Sequence, residues 1–398
     1  MKPLTFTELH DLYQDLLLNN VVPYWFRHAI DREYGGLFTC INDDGTKIST
    51  DKYMWSQCRA IWTFAALYNR IEQRPEFLKI ARATAEFVLQ HGRNENGWFI
   101  FQVTREGKHV QGPVSVYTDY FATYGLGELY RATKEERYRT EALRAFRTVV
   151  QRIQAPDFDG FAPYQRPEGI KYVHGVAMMG LETGQELAEI APEKDVLAHI
   201  DWCLDRIMNH HVRPQRRLVL ELLGPNNEEL DTPAGRCVNP GHSIECMWFV
   251  MHQARRRNDP SLIKHAVEVL HWMIEFGWDQ AHGGIPHCRD AKAPDGPCWW
   301  PNPDTKPWWI AGETLYALLL AYELTGEQWC LDWYWKMHQW AFAHYPDHEH
   351  GEWHQRLDCT GQVLTKIIAL PVKDPFHLPR SIMGILAVLQ RLSKTTSS

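Results

Sequence analysis

Apolar residues return every third or fourth position along "WSQCRAIWTFAALYNRIEQ", "FLKIARATAEFVLQHG" and "SIECMWFVMHQARRR", the period of a helix that buries one side. Short glycine-aromatic segments separate these stretches: "EYGGLFT", "NENGWFIF", "DFDGFAPY", "AHGGIPH" and "EHGEWHQRLD". "RLVLELLG" stands in fourth place, where the matching glycine is missing. Measured from Gly36, Gly97, Gly160, Leu220, Gly284 and Gly351, the steps run from 60 to 67 residues. Such a period marks a repeat architecture in which each unit holds two helices and a loop with a short strand. Six helical hairpins closed in a ring predict an all-α (α/α)6 barrel, with inner helices around a funnel and short β segments in the loops at one end. Closure removes the need for capping repeats. With no Pro-, Gly- or Ser-rich linker in sight, residues 1–398 are expected to form one domain. The Pro-dense "APDGPCWWPNPDTKPWW" reads as a long loop over the funnel mouth.

Composition narrows the function without naming it. A chain that is 44% hydrophobic and 23% charged can bury a large core, and its net charge of -7 comes without a basic run. Nucleic acid and anionic membrane are therefore poor partners. The opening "MKPLTFTELHDLYQDLLLNN" mixes acids into its apolar residues, unlike a signal peptide, and no apolar run is long enough to span a bilayer. Nine scattered cysteines without a CxxC pair point to reduced thiols in a cytoplasmic protein and to no zinc site. The 17 Trp, 16 Tyr and 16 Phe mostly fill a core, but several sit beside polar residues in turns, where rings stack on sugars.

The candidate chemistry lies at predicted helix starts. In "CVNPGHSIECMWFVM", His242 follows a Pro-Gly turn, with the helix expected to begin near Ser243. The helix N-terminus disfavours an imidazolium there, which suits a general base. Glu245, three positions on, would share its face and orient the ring; the bland alternative is a capping histidine followed by a first-turn acid. "VKDPFHLPRSIM" sets His377 between two prolines, with Arg380 in the first turn of the last inner helix. Arg59 lies on an otherwise apolar face beside Trp55 and Trp62, so it needs either a glutamate on a neighbouring helix or a substrate oxygen. "TKPWWIAGETL" offers Trp308, Trp309 and Glu313, the last either a buried acid that pairs with Arg59 or a histidine, or a first-turn partner of the helix dipole. Tyr117, Asp119, Trp353 and His174, the last a core or wall histidine, complete the set. No GxGxxG, P-loop, HExxH, GxSxG or DxDxDG is present, so nothing supports hydride transfer, serine hydrolysis or a metal centre.

Taken in order and at these separations, "NPGHSIECMWFVM", "KPWWIAGETL", "HGEW" and "FHLPRS" resemble the N-acylglucosamine 2-epimerase family, which includes mannose isomerases and cellobiose 2-epimerases. The likeness runs from "FTCINDDG" to the last hairpin and implies the (α/α)6 barrel. It also implies that His242 and His377 are the two acid/base residues, that Arg59, Glu313 and Glu245 belong to the active site, and that Tyr117 faces the sugar. The chain departs from the pattern at Glu352-Trp353-His354-Gln355, where family members often read "EWFG".

That resemblance implies a sugar 2-epimerase, with N-acetylglucosamine and N-acetylmannosamine as the default pair. Two histidines on opposite faces would remove and return the C2 proton of the open-chain sugar through an enediolate. Arg59 would stabilise the developing charge at O1, and Trp308, Trp309 and Trp353 would form aromatic walls with His174 nearby. The nearest rival is aldose–ketose isomerisation on the same scaffold. Behind it stand an inverting hydrolase with an acid pair such as Asp119 and Glu313, and a non-catalytic binding module. No cofactor is required; ATP activates some relatives without being consumed, but no phosphate-cradling loop is visible here. A homodimer is expected from the resemblance.

Overall fold

In a computed structural model of the chain, the described residues are 4–160, 165–296, 298–364 and 373–396. Positions 161–164 of the third glycine-aromatic segment, and Pro297 in the Pro-dense loop, lie outside them. Helices dominate, in two compact units.

One unit comprises Trp25–Arg206 and Ile367–Phe376. Its helices pair as hairpins: Met54–Arg70 with Pro75–His91, Tyr117–Thr133 with Glu136–Gln154, and His174–Ala188 with Lys194–Asp205. The first members of the three pairs also pack on one another in sequence order. They are buried nearly all round, whereas Glu136–Gln154 keeps one apolar stripe along Tyr138, Ala142, Leu143, Ala145, Phe146 and Val149. A three-stranded antiparallel sheet of Lys52–Tyr53, Gln102–Val103 and His109–Gln111 feeds the Met54–Arg70 helix.

The other unit comprises Met1–Tyr24, Ile207–Lys366 and His377–Ser398. It holds the hairpins Pro240–Arg256 with Pro260–Gly277 and Trp308–Thr325 with Gln328–His344. Its third hairpin joins the two ends of the chain, Phe6–Asp15 against His377–Thr396. Trp308–Thr325 is apolar on every side and sits between Pro240–Arg256 and His377–Thr396. Each fully buried Leu or Ile on it is worth about 1.5–3 kcal/mol, so this helix is anchored by its whole surface. Two-residue strands precede the inner helices here too: Cys237–Val238 pairs with Arg289–Asp290, and Lys306–Pro307 with Arg356–Leu357.

The glycine-aromatic segments recur because each unit needs the same corner. Lys52 Nζ donates to Asp31 at 2.9 Å and to the carbonyl of Gly35 at 2.6 Å. Lys306 Nζ likewise donates to Asp279 at 2.7 Å and to the carbonyl of Cys359. Each buried ammonium thus pins a Gly-Gly loop to the strand that opens an inner helix. Gly283 and Gly284 have φ of 71° and 73°, and a Cβ on either would meet Trp340 at 2.5 Å, so only glycine fits both the backbone and the ring.

Candidate active site

The helix carrying His242 begins at Pro240, three residues before the Ser243 expected from the sequence. Asn239 is its N-cap, accepting the His242 N–H at 3.0 Å, and Pro240 occupies the first turn, where a missing N–H costs nothing. His242 therefore stands inside the first turn. A Cβ on Gly241 would come within 2.6 Å of both Ile310 and the Trp309 ring. The glycine lets the Trp308–Thr325 helix approach closely enough for Trp309 to reach the histidine.

Glu221, rather than Glu245, holds His242. Both Glu221 carboxylate oxygens lie 3.2 Å from His242 Nδ1, so Nδ1–H donates to them and Nε2 is left as the basic nitrogen. Glu221 comes from the fourth repeat segment, the one without a glycine, and its N–H donates to the Cys237 carbonyl at 3.2 Å. That strand contact carries the acid to the start of the His242 helix. Sequence spacing could not find it, because the pair is 21 residues apart and joined only through the sheet. The segment's odd form was the one available signal.

Glu245 turns instead toward the other histidine. Its carboxylate accepts from Arg380 and lies 3.9 Å from His377 Nδ1. Glu313 accepts from His377 Nδ1 at 2.8 Å, from Arg380 at 2.6 Å and from Trp248 Nε1 at 2.9 Å. Of the partners anticipated for Glu313, a histidine is therefore the one found. Arg380 sits between two carboxylates that would otherwise repel, and all three charges are buried. The ligand atoms of Glu245, Glu313 and His377 lie within 4.8 Å of one another, a spacing that would suit a metal, but the guanidinium already supplies positive charge there.

Trp309 joins the two histidines. Its ring centre is 5.6 Å from that of His242 and 5.4 Å from that of His377. Each imidazole keeps some access, 26% of the side chain for His242 and 11% for His377. Trp308, by contrast, is buried at the helix start. Trp353 is 1% exposed, stacked on Tyr345 at 5.4 Å and edge-on to Phe342, so it is a core ring and not the sugar-facing wall expected from the sequence. A third histidine, His287, lies with its ring 6.3 Å from Trp309. Burial, with Arg356 and His242 adding to it, pushes His287 down to about 3, so it is neutral.

Arg59, Tyr117 and His174 belong to the first-described unit. Arg59 pairs with Asp374 at 3.2 Å, in the segment just before the last helix, and lies over the rings of Phe121 and Phe376. Its partner is thus an aspartate in a loop, and among the described residues its Nε has no hydrogen-bond partner. Tyr117 opens its helix half-buried, and His174 is fully buried at the first position of His174–Ala188. Asp119, the acid of the hydrolase alternative, is fully buried, bound to Arg152 at 2.8 Å and to the Phe99 N–H. Burial raises it to about 6 against the pull of Arg152.

Residues 36–378 match the model of the N-acylglucosamine 2-epimerase (GlcNAc 2-epimerase) family. The mouse N-acylglucosamine 2-epimerase is 33% identical over 393 residues, covering 94% of this chain and 91% of the mouse protein. The chain belongs to the N-acylglucosamine 2-epimerase family. Its structure is similar to that of cellobiose 2-epimerase from Bacillus thermoamylovorans, with TM-score 0.83 and 18% identity over 96% of this chain and 99% of that one. A D-mannose isomerase structure gives TM-score 0.77 at 15% identity, covering 99% and 100%. These likenesses establish the (α/α)6 barrel of this family as the fold. Among the described residues, no helix is long and apolar enough to cross a membrane.

Proposed function

We propose that this protein is a sugar 2-epimerase that inverts C2 of an open-chain aldose by two-histidine proton exchange, with N-acetylglucosamine and N-acetylmannosamine as the default pair. The observation that carries the reading is the matched setting of His242 and His377. Each imidazole is gripped at Nδ1 by a buried carboxylate, Glu221 or Glu313, and both flank the one indole of Trp309. A base held in one tautomer presents Nε2 to the substrate, and a pair of them can serve both faces of one carbon.

One histidine takes the C2 proton and the other delivers a proton to the opposite face of the enediolate. Trp309 forms the wall against which the carbon chain lies. Arg380 donates to both Glu245 and Glu313 beside His377, and Glu313 also accepts the His377 Nδ1–H. Arg59 is retained as the cation for O1 on the family resemblance. Both protons move between imidazole and carbon, so the scheme calls for no cofactor. A soluble sugar is the partner it needs.

The test is incubation in deuterated water with N-acetylmannosamine, mannose, glucose and cellobiose, read by proton NMR. Deuterium at C2 of an epimeric aldose supports the reading and names the sugar. A ketose product would move the assignment to aldose–ketose isomerase, the reading in keeping with the mannose isomerase likeness. No exchange in any sugar would refute both.

A further inference from the structure

Two polar side chains of the unit that holds the paired histidines, Arg356 and His287, take no part in the steps above. Arg356 lies in the strand paired with Lys306–Pro307, and among the described residues the one hydrogen bond of its guanidinium goes to Thr305 Oγ1 at 2.8 Å. Thr305 is shared, because its carbonyl accepts the backbone N–H of His287 at 2.9 Å. The Nδ1 of His287 is buried without a hydrogen-bond partner among the described residues, and the ring lies 5.5 Å from Trp300 as well as beside Trp309. His287 therefore links the pair to the indole that flanks the catalytic histidines: its ring lies beside Trp309, and the Arg356 charge is near enough to help push its pKa down.

The charges do not balance there. Elsewhere in this unit Arg380, Arg236, Arg289 and Arg213 each meet a carboxylate. Arg356 meets none among the described residues, although burial lowers its pKa. A half-buried guanidinium with a single hydroxyl partner keeps donors free for an incoming anion. The planar fork of an arginine suits carboxylate, phosphate and sulfonate oxygens, and a neutral imidazole can add one hydrogen bond. The residues leading into Arg356, His354 and Gln355, are also where the chain departs from its family's "EWFG".

We propose that Arg356 and His287 form an anion-recognising subsite, so that the sugar turned over carries an acidic group on a carbon other than C1 and C2. The inference rests on the 2-epimerase reading and moves its substrate from the neutral default pair to an acidic sugar. The anion is a carboxylate, a phosphate ester or a sulfonate, three sources of one chemistry.

The experiment measures kcat/KM for C2 exchange by the full-length protein on N-acetylmannosamine, its 6-phosphate, mannuronate and a 6-sulfonated mannose. The wild type should favour one acidic sugar over its neutral parent by about 10- to 100-fold, the scale of a hydrogen bond to a charged group. Which one wins identifies the anion. Arg356→Leu should collapse that ratio, mainly through KM, and Arg356→Lys should restore part of it. Inorganic phosphate or sulfate should compete with neutral substrate in the wild type, a measurement that stands even if Arg356→Leu does not fold. Equal or better use of neutral sugars without anion competition would overturn the subsite and leave the epimerase intact. An unchanged ratio in Arg356→Leu would do the same. Absence of C2 exchange in every sugar would remove the epimerase reading, and this inference with it.

Discussion

Replacing Glu221 tests the site at the point where structure and sequence part. The carboxylate holds His242 Nδ1 through two contacts of 3.2 Å and is itself 2% exposed, so water cannot take its place. A hydrogen bond to a charged group contributes about 1.5–3 kcal/mol. Part of that is lost here, because the contacts are long and His242 is partly exposed, leaving about 2 kcal/mol, or about 30-fold in rate. Glu221→Gln keeps the shape but lets the amide donate as well as accept, so part of the population holds the imidazole with its proton on Nε2. Glu221→Ala removes the orientation altogether. Both variants should lower kcat for C2 exchange by about 10- to 100-fold, as removal of a ligand-orienting carboxylate does elsewhere, with Glu221→Asp intermediate. The assay is deuterium wash-in followed by NMR, with unfolding in urea measured alongside to separate activity from stability. Activity within threefold of wild type in both Gln and Ala variants would refute the role given to Glu221.

His242→Asn and His377→Asn should each abolish epimerisation while leaving the fold intact, by circular dichroism; near-wild-type turnover in either would end the two-base scheme. Arg380→Leu leaves Glu245 and Glu313 facing each other in a buried site and should destabilise the protein by about 3–5 kcal/mol, measured as a lower urea midpoint, as well as inactivating it. An unchanged midpoint would mean that the cluster is solvated. Stability should also fall on acidification. Burial pushes His199 and His338 down to about 4 from 6.5, so between those values the unfolded chain binds protons first. Each histidine then contributes a loss of up to about 3 kcal/mol. Asp119, raised from 3.8 to about 6, opposes this, because the folded state takes its proton first in that window. Urea midpoints at pH 7 and pH 4.5 give the net slope, and His199→Gln should flatten it; equal midpoints in the wild type would contradict the assignment.

How much was legible follows from the range over which each signal acts. The helical period, the step of 60 to 67 residues and the corner glycines are local, and they predicted hairpins that the structure bears out, although the His242 helix starts three residues earlier than expected. The corners even carry a repeat too faint to read as function. Arg59 stands seven residues after Lys52, and Glu313 seven after Lys306, so the same place on an inner helix holds a cation in one unit and an anion in the other. His242, His377 and Glu313 were visible as ionisable groups at the mouths of apolar helices, where an unsatisfied charge needs a reason.

What lay beyond the sequence was the choice of partners. Glu245 is three residues from His242, and helical spacing alone would pair them, yet side chains in a first turn can point to different neighbours once a second helix supplies a stronger charge. Arg380, 135 residues away, is that charge, and it draws Glu245 to His377. Glu221 reaches His242 only because its segment lies against the Cys237–Val238 strand. Trp353 is buried by Tyr345 and Phe342, while Trp309 is left between the histidines by a glycine at position 241. Periodicity, caps and turns are properties of the chain within a few residues, so the sequence by itself determined the hairpins and which residues were ionisable at their mouths. Ion pairs and ring contacts depend on which helices touch, so tertiary packing decided which acid holds which base.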